Sequence, residues 1–289
     1  MDAELLQKLG DAQQALVPQF NKLRAATGTL QSAIKLASEE TLDALAMQKV
    51  LTKLQEANQL LEDEGLQAAT TAFATTTNSA LESLAFEFAR DLKHVFETRG
   101  QRVEGRPPTL VVDQLVLNID IAKRKAQWLY GKEALISPIP LSINAILKAY
   151  DAQRKAILER KTDLNTFVGE LYNAWQQMVD EKTQQGGRKS GNSRVNLVEA
   201  YSKVVLNRQS ARFWNAPARS TFKDYERPLF VRDLALAQSA PMTTIDGKVQ
   251  RLRLGVATKS QADSASRSIW LPSSALDGEY YSELTFEES

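Results

Sequence analysis

Apolar residues in the first hundred positions recur with the spacing of an amphipathic helix. Four leucines follow one another at intervals of seven residues, at Leu9, Leu16, Leu23 and Leu30. This spacing places them in one narrow seam along a helix, as a coiled-coil partner requires. Further apolar positions at intervals of three and four continue as far as Gly100. We therefore predict a helical, coiled-coil region over residues 1–100.

The apolar period changes from helical spacing to strict alternation after residue 100. Leu115, Leu117 and Ile119 occupy every second position, with polar residues at 118 and 120. Alternation of this kind gives a strand one apolar face and one polar face. We predict a three-stranded antiparallel meander within residues 101–136. It should pack on the preceding helix, because a small sheet is not stable by itself.

Helical spacing returns in residues 137–183, where apolar residues again recur every seven positions, at Tyr150, Ile157, Leu164, Leu171 and Met178. The pattern predicts one long bent helix or two helices end to end. We expect this seam to pack against the N-terminal seam as an antiparallel coiled coil within one chain. A homodimer is the alternative use of the same surfaces. The residues expected to be buried by the intramolecular pairing are Leu16, Leu23, Ile157 and Leu164.

Glycine and polar residues mark a linker at residues 184–193. The C-terminal region, residues 194–289, begins with a helical pattern and ends in apolar runs beside Asp246-Gly247 and Asp277-Gly278, which are hairpin signals. We predict a basic α+β region there. The predicted fold class is α+β and predominantly helical.

The composition excludes several kinds of chemistry. The chain has no cysteine and one histidine, which excludes disulfides, thiolate zinc sites, iron–sulfur clusters and multi-histidine metal centres. The sequence has neither a phosphate-binding loop nor a nucleophile-elbow motif. No apolar run approaches the roughly 20 residues of a membrane span, and the polar N-terminus does not resemble a signal peptide. We expect a cytoplasmic protein with no cofactor, no metal and no catalytic residue.

A strongly basic segment lies within a chain whose net charge is +1. Residues 186–232 hold ten basic and three acidic residues, a balance of +7, and aromatic residues are interleaved with the arginines. This pattern is typical of surfaces that contact phosphates and stack on bases. The predicted hairpin near Asp246 adds a basic wing with Lys248, Arg251 and Arg253. The residues predicted to bind DNA or RNA are Arg188, Lys189, Arg194, Arg208, Arg212, Trp214, Arg219, Lys223 and Arg227.

Three functions fit these patterns. The favoured one is a non-enzymatic nucleic-acid-binding accessory or scaffold subunit of a larger bacterial-type assembly, joined to a protein partner or a second copy through its coiled-coil seams. The second is a structural adaptor that binds an acidic protein. The third is a metal-dependent nuclease in which Asp113 and Asp120, with Glu104 as an additional ligand, hold magnesium. The spacing from Asp120 to Lys123 is one residue too long for that nuclease pattern, which favours solvent-facing hairpin charges.

Overall fold

The computed structural model of the chain describes residues 3–40, 42–61, 63–184, 193–245 and 247–288. Within these ranges the fold is α+β, with 57% helix, nine α-helices and two antiparallel sheets. The predicted class, α+β and predominantly helical, is confirmed. The chain divides into two compact units. The first comprises Met1–Arg99, Arg106–Pro108 and Ile119–Lys125, and the second comprises Gly100–Gly105, Thr109–Asn118 and Ala126–Ser289.

Three long helices make up most of the first unit: α1 (Ala3–Ala37), α2 (Ala44–Leu60) and α3 (Glu64–Thr98). Aspartates stand at the starts of α2 and α3. The carboxylates of Asp43 and Asp63 accept hydrogen bonds from backbone N–H groups of the first turn, which supplies partners that the helix itself cannot provide. Short connections make consecutive helices antiparallel neighbours.

The core of the first unit takes small and large apolar residues from all three helices: Ala26, Ala33, Met47, Leu51, Leu54, Leu66 and Phe73. α2 has 17 residues and α1 has 35, so α2 is too short to cover the whole leucine seam of α1. Only the C-terminal half of the seam therefore contributes to this core. In the N-terminal half, Leu16 and Leu23 are 61% and 56% exposed. The predicted coiled coil between this seam and the central seam is therefore not confirmed.

The central segment forms two consecutive helices, α4 (Ile143–Gln153) and α5 (Leu164–Gln184), with a π-helical turn at Arg154–Leu158 between them. Of the two predicted forms, a helix pair is observed. Ile157 is buried as predicted, whereas Leu164 is half-buried.

The sheet that follows α3 is larger than predicted. Its strands are β1 (Val103–Arg106), β2 (Thr109–Val112), β3 (Leu115–Asp120), β4 (Lys125–Tyr130), β5 (Glu133–Ala134) and β6 (Ile139–Pro140). They follow the order β1-β2-β3-β4-β5, and β6 also pairs with β4. The three-stranded meander is not confirmed, because one short strand is added before it and two after it. Strands of two to four residues are too short to show an alternating pattern.

The second sheet belongs to the C-terminal part of the second unit, where helices and strands are mixed as predicted. The helices are α6 (Leu197–Asn207), α7 (Ala211–Asn215), α8 (Arg227–Ser239) and α9 (Lys259–Ala262). The strands are β7 (Val195–Asn196), β8 (Met242–Ile245), β9 (Lys248–Val256), β10 (Ile269–Pro272) and β11 (Gly278–Glu288). Their order is β10-β11-β9-β8, and β7 also pairs with β11. The longest strand therefore lies in the interior of this sheet.

A buried carboxylate organises the second unit. Asp233 on α8 is fully buried, and both of its oxygens lie 2.7 Å from Nη1 of Arg160. The hydroxyls of Thr162 and Tyr225 also donate to it, each at 2.7 Å. Burial and the hydrogen bond to Asp233 raise the pKa of Tyr225. Arg232 donates in turn to the backbone carbonyls at 158 and 160, so α8 is joined to the turn that precedes α5.

We expect Asp233→Ala to lower the free energy of unfolding by roughly 3–5 kcal/mol, because it leaves two arginines facing an empty buried position. Urea denaturation followed by circular dichroism measures the change. Asp224→Ala is the control, since Asp224 is exposed and its removal should change stability by less than about 0.5 kcal/mol. A loss below about 1 kcal/mol for Asp233→Ala would show that this network does not stabilise the fold.

Candidate nucleic-acid interface

The predicted binding residues fall into three groups. Arg188 and Lys189 lie outside the described residues. Arg194, Arg208 and Arg227 make ion pairs within the chain. The remaining four lie close together in sequence, are exposed and make no ion pair among the residues described: Arg212, Trp214, Arg219 and Lys223.

Arg208 links α6 to α5 and is a structural residue. Its guanidinium donates to both carboxylate oxygens of Glu170, with Nε 3.1 Å from Oε2. It also lies 3.7 Å from the centre of the Tyr225 ring. Burial alone would lower the pKa of Arg208, but the ion pair with Glu170 and the contact with Tyr225 outweigh it and raise the pKa. A guanidinium held in this way on two sides is not free to bind phosphate.

Arg227 fastens the start of α8 to two distant segments. Nε lies 2.8 Å from Oε1 of Glu133, and the terminal nitrogens donate to the carbonyls of Ala265 and Ser268 at 2.8 and 3.0 Å. Each of its three nitrogens thus donates a hydrogen bond to an acceptor within the chain. The prediction that Arg227 contacts nucleic acid finds no support in this arrangement.

Acidic residues of β11 pair with basic residues around them. Arg194 lies 3.5 Å from Glu283, and both side chains are solvent-accessible. In the basic wing predicted beside residue 246, Arg253 pairs with Glu287 and Lys248 pairs with Glu288, whereas Arg251 makes no ion pair among the described residues. Exposed pairs of this kind are weak and exchange readily. Arg194 therefore remains a secondary candidate for phosphate contact.

Residues 210–223, here named the aromatic–basic segment, contain α7 and the turn after it. Phe213 packs edge-on against Trp214 and Phe222, with ring centres 5.2 and 5.5 Å apart. Trp214 is nevertheless 57% exposed. The segment contains Arg212, Arg219 and Lys223 and no acidic residue. Aromatic faces and unpaired cations are therefore presented on one short stretch of chain.

Gln209 closes the base of the aromatic–basic segment. Its side-chain N–H₂ group donates to the carbonyls of Val205 and Lys223, and its carbonyl oxygen accepts from the Lys223 N–H, all at 2.7–2.8 Å. Within the segment, the Thr221 hydroxyl contacts the Ala218 N–H at 3.1 Å and the carbonyls at 216 and 218 at 3.0 Å. Sequence reasoning missed Gln209, because nothing local distinguishes it from a surface glutamine.

Trp214 borders a groove of about 510 Å³ between α5 and α6. The groove is lined mainly by amide side chains, together with one carboxylate and one leucine: Asn173, Gln176, Gln177, Asp180, Leu206 and Asn207. The amide nitrogen of Asn207 lies 3.2 Å from Oε1 of Gln177. Amides carry both donors and acceptors, so the groove can hydrogen-bond a planar polar group that stacks on the indole.

The predicted nuclease residues are not brought together. Asp113 lies in the turn before β3, and Asp120 is the last residue of that strand. The six-residue strand β3 spans about 17 Å between its first and last Cα atoms, so Asp113 and Asp120 lie near opposite ends of it. Tyr150 donates a hydrogen bond to Asp113, and Glu104 pairs with Arg102. Over the described parts of the chain, no group of three or more His, Asp or Glu residues is arranged to hold a metal ion.

Asp120 and Lys123 contact each other, although strict alternation along a strand would place residues three positions apart on opposite faces. The Lys123 ammonium lies 3.1 Å from the Asp120 carboxylate, whose other oxygen accepts from the Lys123 N–H at 2.9 Å. Burial acts to raise the pKa of Asp120, but these two contacts outweigh it and hold the pKa below its ordinary value. Lys123 follows the strand in a turn, so the alternation rule does not apply to it.

The comparisons with known proteins give no relative: no protein-family model, no curated protein and no solved structure matches this chain. None of the helices in the described ranges is long and apolar enough to cross a membrane.

We expect Gln209→Ala to loosen the aromatic–basic segment, because two backbone carbonyls and one N–H group lose their partner. Each hydrogen bond contributes about 0.5–1.5 kcal/mol, so trypsin should cleave after Arg212, Arg219 and Lys223 faster than in the unchanged protein. Gln176→Ala, an exposed position on α5, is the control and should leave the cleavage rates unchanged. Equal rates in both variants would show that Gln209 does not hold the segment.

Proposed function

We propose that this chain is a non-enzymatic accessory subunit that binds single-stranded nucleic acid through the aromatic–basic segment. In this proposal Arg212, Arg219 and Lys223 contact phosphates, and a base stacks on Trp214. The observation that supports it most directly is the exposure of Trp214 in the same short stretch of chain as three exposed cations that have no ion-pair partner among the described residues. The paired arginines deeper in the fold position this segment instead of binding the ligand.

Stacking favours a single strand over a duplex. An indole face can stack on a base that is not already covered by its neighbours, and such stacking is worth about 1–3 kcal/mol per base. The amide-lined groove beside Trp214 offers hydrogen bonds to the edge of the stacked base. We therefore expect a weak base preference at one position and none elsewhere, since phosphate contacts carry no sequence information.

The structural adaptor that binds an acidic protein is the competing proposal for the same cations. An acidic protein would use Arg212, Arg219 and Lys223 but has no need of an exposed indole. The contribution of Trp214 to binding of an oligonucleotide therefore separates the two proposals.

We expect the affinity for a single-stranded oligonucleotide to fall with salt along a log–log slope of about −2 to −3. Three to four phosphate contacts, at roughly 0.7 each for single strands, give this value. Fluorescence anisotropy with a labelled oligonucleotide of about 20 nucleotides, longer than the ~4–16 nucleotides that one small fold covers, measures it. Absence of binding at low salt would remove nucleic acid as the ligand of the isolated chain.

We expect Trp214→Ala to weaken binding of the single strand by about 1–3 kcal/mol, and the triple change Arg212→Glu, Arg219→Glu and Lys223→Glu to abolish it. The matched control changes three other exposed lysines of the second unit to glutamate, at Lys148, Lys155 and Lys259. The two triple variants have the same net charge. Equal loss in both would show that binding follows overall charge and not this surface. Arg208 is left unchanged, because its replacement breaks the ion pair with Glu170.

A further inference from the structure

One face of the N-terminal two thirds of α1 is covered by large apolar side chains that remain in solvent. Their exposed fractions lie between 49% and 63%, and the residues are Leu5, Leu6, Leu9, Leu16, Val17, Phe20 and Leu23. Four of them follow the heptad seam, with Leu9, Leu16 and Leu23 at one core position and Leu5 at the other, where Ala12 and Gln19 follow it. Contiguous apolar surface of this kind marks an interaction site.

The exposed face continues an interface that is already packed. From residue 26 onwards the same seam lies against α2, where Ala26 and Ala33 are buried in the core of the first unit. The seam therefore consists of a covered half and a bare half. The bare half runs from Leu5 to Leu23, a span of about 27 Å along the helix axis.

The bare half is complementary to itself when two copies run in opposite directions. Antiparallel coiled coils place the first core position of one helix opposite the second core position of the other. The register that sets Leu5 opposite Leu23 also sets Ala12 opposite Leu16, so a small residue faces a large one, and it sets Leu9 opposite Gln19, the one polar residue of the bare seam. It brings Leu6 close to Phe20 of the second copy as well. Every member of these pairs lies within the bare half.

We propose that α1 binds α1 of a second copy as an antiparallel coiled coil with its two-fold axis near residue 14. The end that carries Glu4 meets the end that carries Lys22 and Arg24, but Glu4 already pairs with Lys8 at 2.7 Å, so the direction rests on the apolar register and on the place where α2 covers the seam. A two-fold axis makes the contact closed and self-limiting at a dimer. The proposal depends on α1 alone and is independent of nucleic-acid binding.

A parallel pair fits the fold less well. In a parallel pair both copies would present residue 26 at the same end, where each seam is already covered by its own α2. The two α2 helices would then compete for the same space. In the antiparallel pair, the paired stretch ends at Leu5 and Leu23, before either α2 begins to cover the seam.

Sedimentation equilibrium of the full chain tests the association. We expect a dimer, and we expect Leu16→Glu to raise its dissociation constant about 100-fold, because the symmetric interface contains the substitution twice. Gln14→Glu introduces the same charge on the opposite side of the helix and should leave the dimer intact. Both positions are exposed, so neither substitution should lower the melting temperature of the monomer. Any decrease should come only from the loss of the dimer. A monomer at all concentrations, or equal loss in both variants, overturns the proposal.

Cysteine cross-linking tests the direction, since the chain has no cysteine of its own. The double variant Leu5→Cys and Leu23→Cys should form disulfide-linked dimers on mild oxidation. Peptide mapping should find position 5 joined to position 23, which the distance along one helix forbids within a single chain. Links of 5 to 5 and 23 to 23 would indicate a parallel pair and overturn the antiparallel register. Binding of the oligonucleotide by the Leu16→Glu variant shows whether the surface at Trp214 acts independently.

Discussion

The carboxylate of Asp233 has no access to solvent, and the arrangement of the second unit follows from the need to satisfy it. An isolated buried charge is strongly unfavourable, so the chain must bring Arg160, Thr162 and Tyr225 to the same point. The guanidinium of Arg208 lies over the ring of Tyr225 and forms an ion pair with Glu170 on α5. A continuous set of polar contacts thus runs from the interior to the base of the aromatic–basic segment. The ends of that segment are fixed before any ligand is bound.

The sequence pattern predicted the fold class, the alternating strand β3 and the helical character of the central region, because each depends on local periodicity; it left open whether that region forms one bent helix or two. It could not predict the extent of the first sheet, since β5 and β6 have two residues each. It also could not predict where the leucine seam becomes bare. The length of α2 decides that point, and the heptad pattern of α1 carries no information about the length of α2.

The candidate site shows the same limit more sharply. Arg208 and Arg212 are four residues apart in one basic segment, and nothing in their local sequence separates them. Arg208 forms an ion pair with Glu170, which lies 38 residues earlier, and Arg227 forms one with Glu133, which lies 94 residues earlier. Composition therefore indicated a basic region but overstated how many of its cations lack an ion-pair partner. The cations without an ion-pair partner among the described residues lie in the aromatic–basic segment, in which the other residues are mostly aromatic or small.

The glutamates of β11 have a consequence for how a charged ligand would approach. By pairing with Arg194, Lys248 and Arg253, they cancel much of the positive potential around the second sheet. The cations of residues 210–223, which have no ion-pair partner among the described residues, then act as a local source of attraction for a polyanion. A polyanion diffusing past would be oriented toward Trp214 during the encounter, before any contact forms. In the proposed complex, such steering would act on the rate of association, which falls steeply as ionic strength rises, while stacking on Trp214 would act on the rate of dissociation.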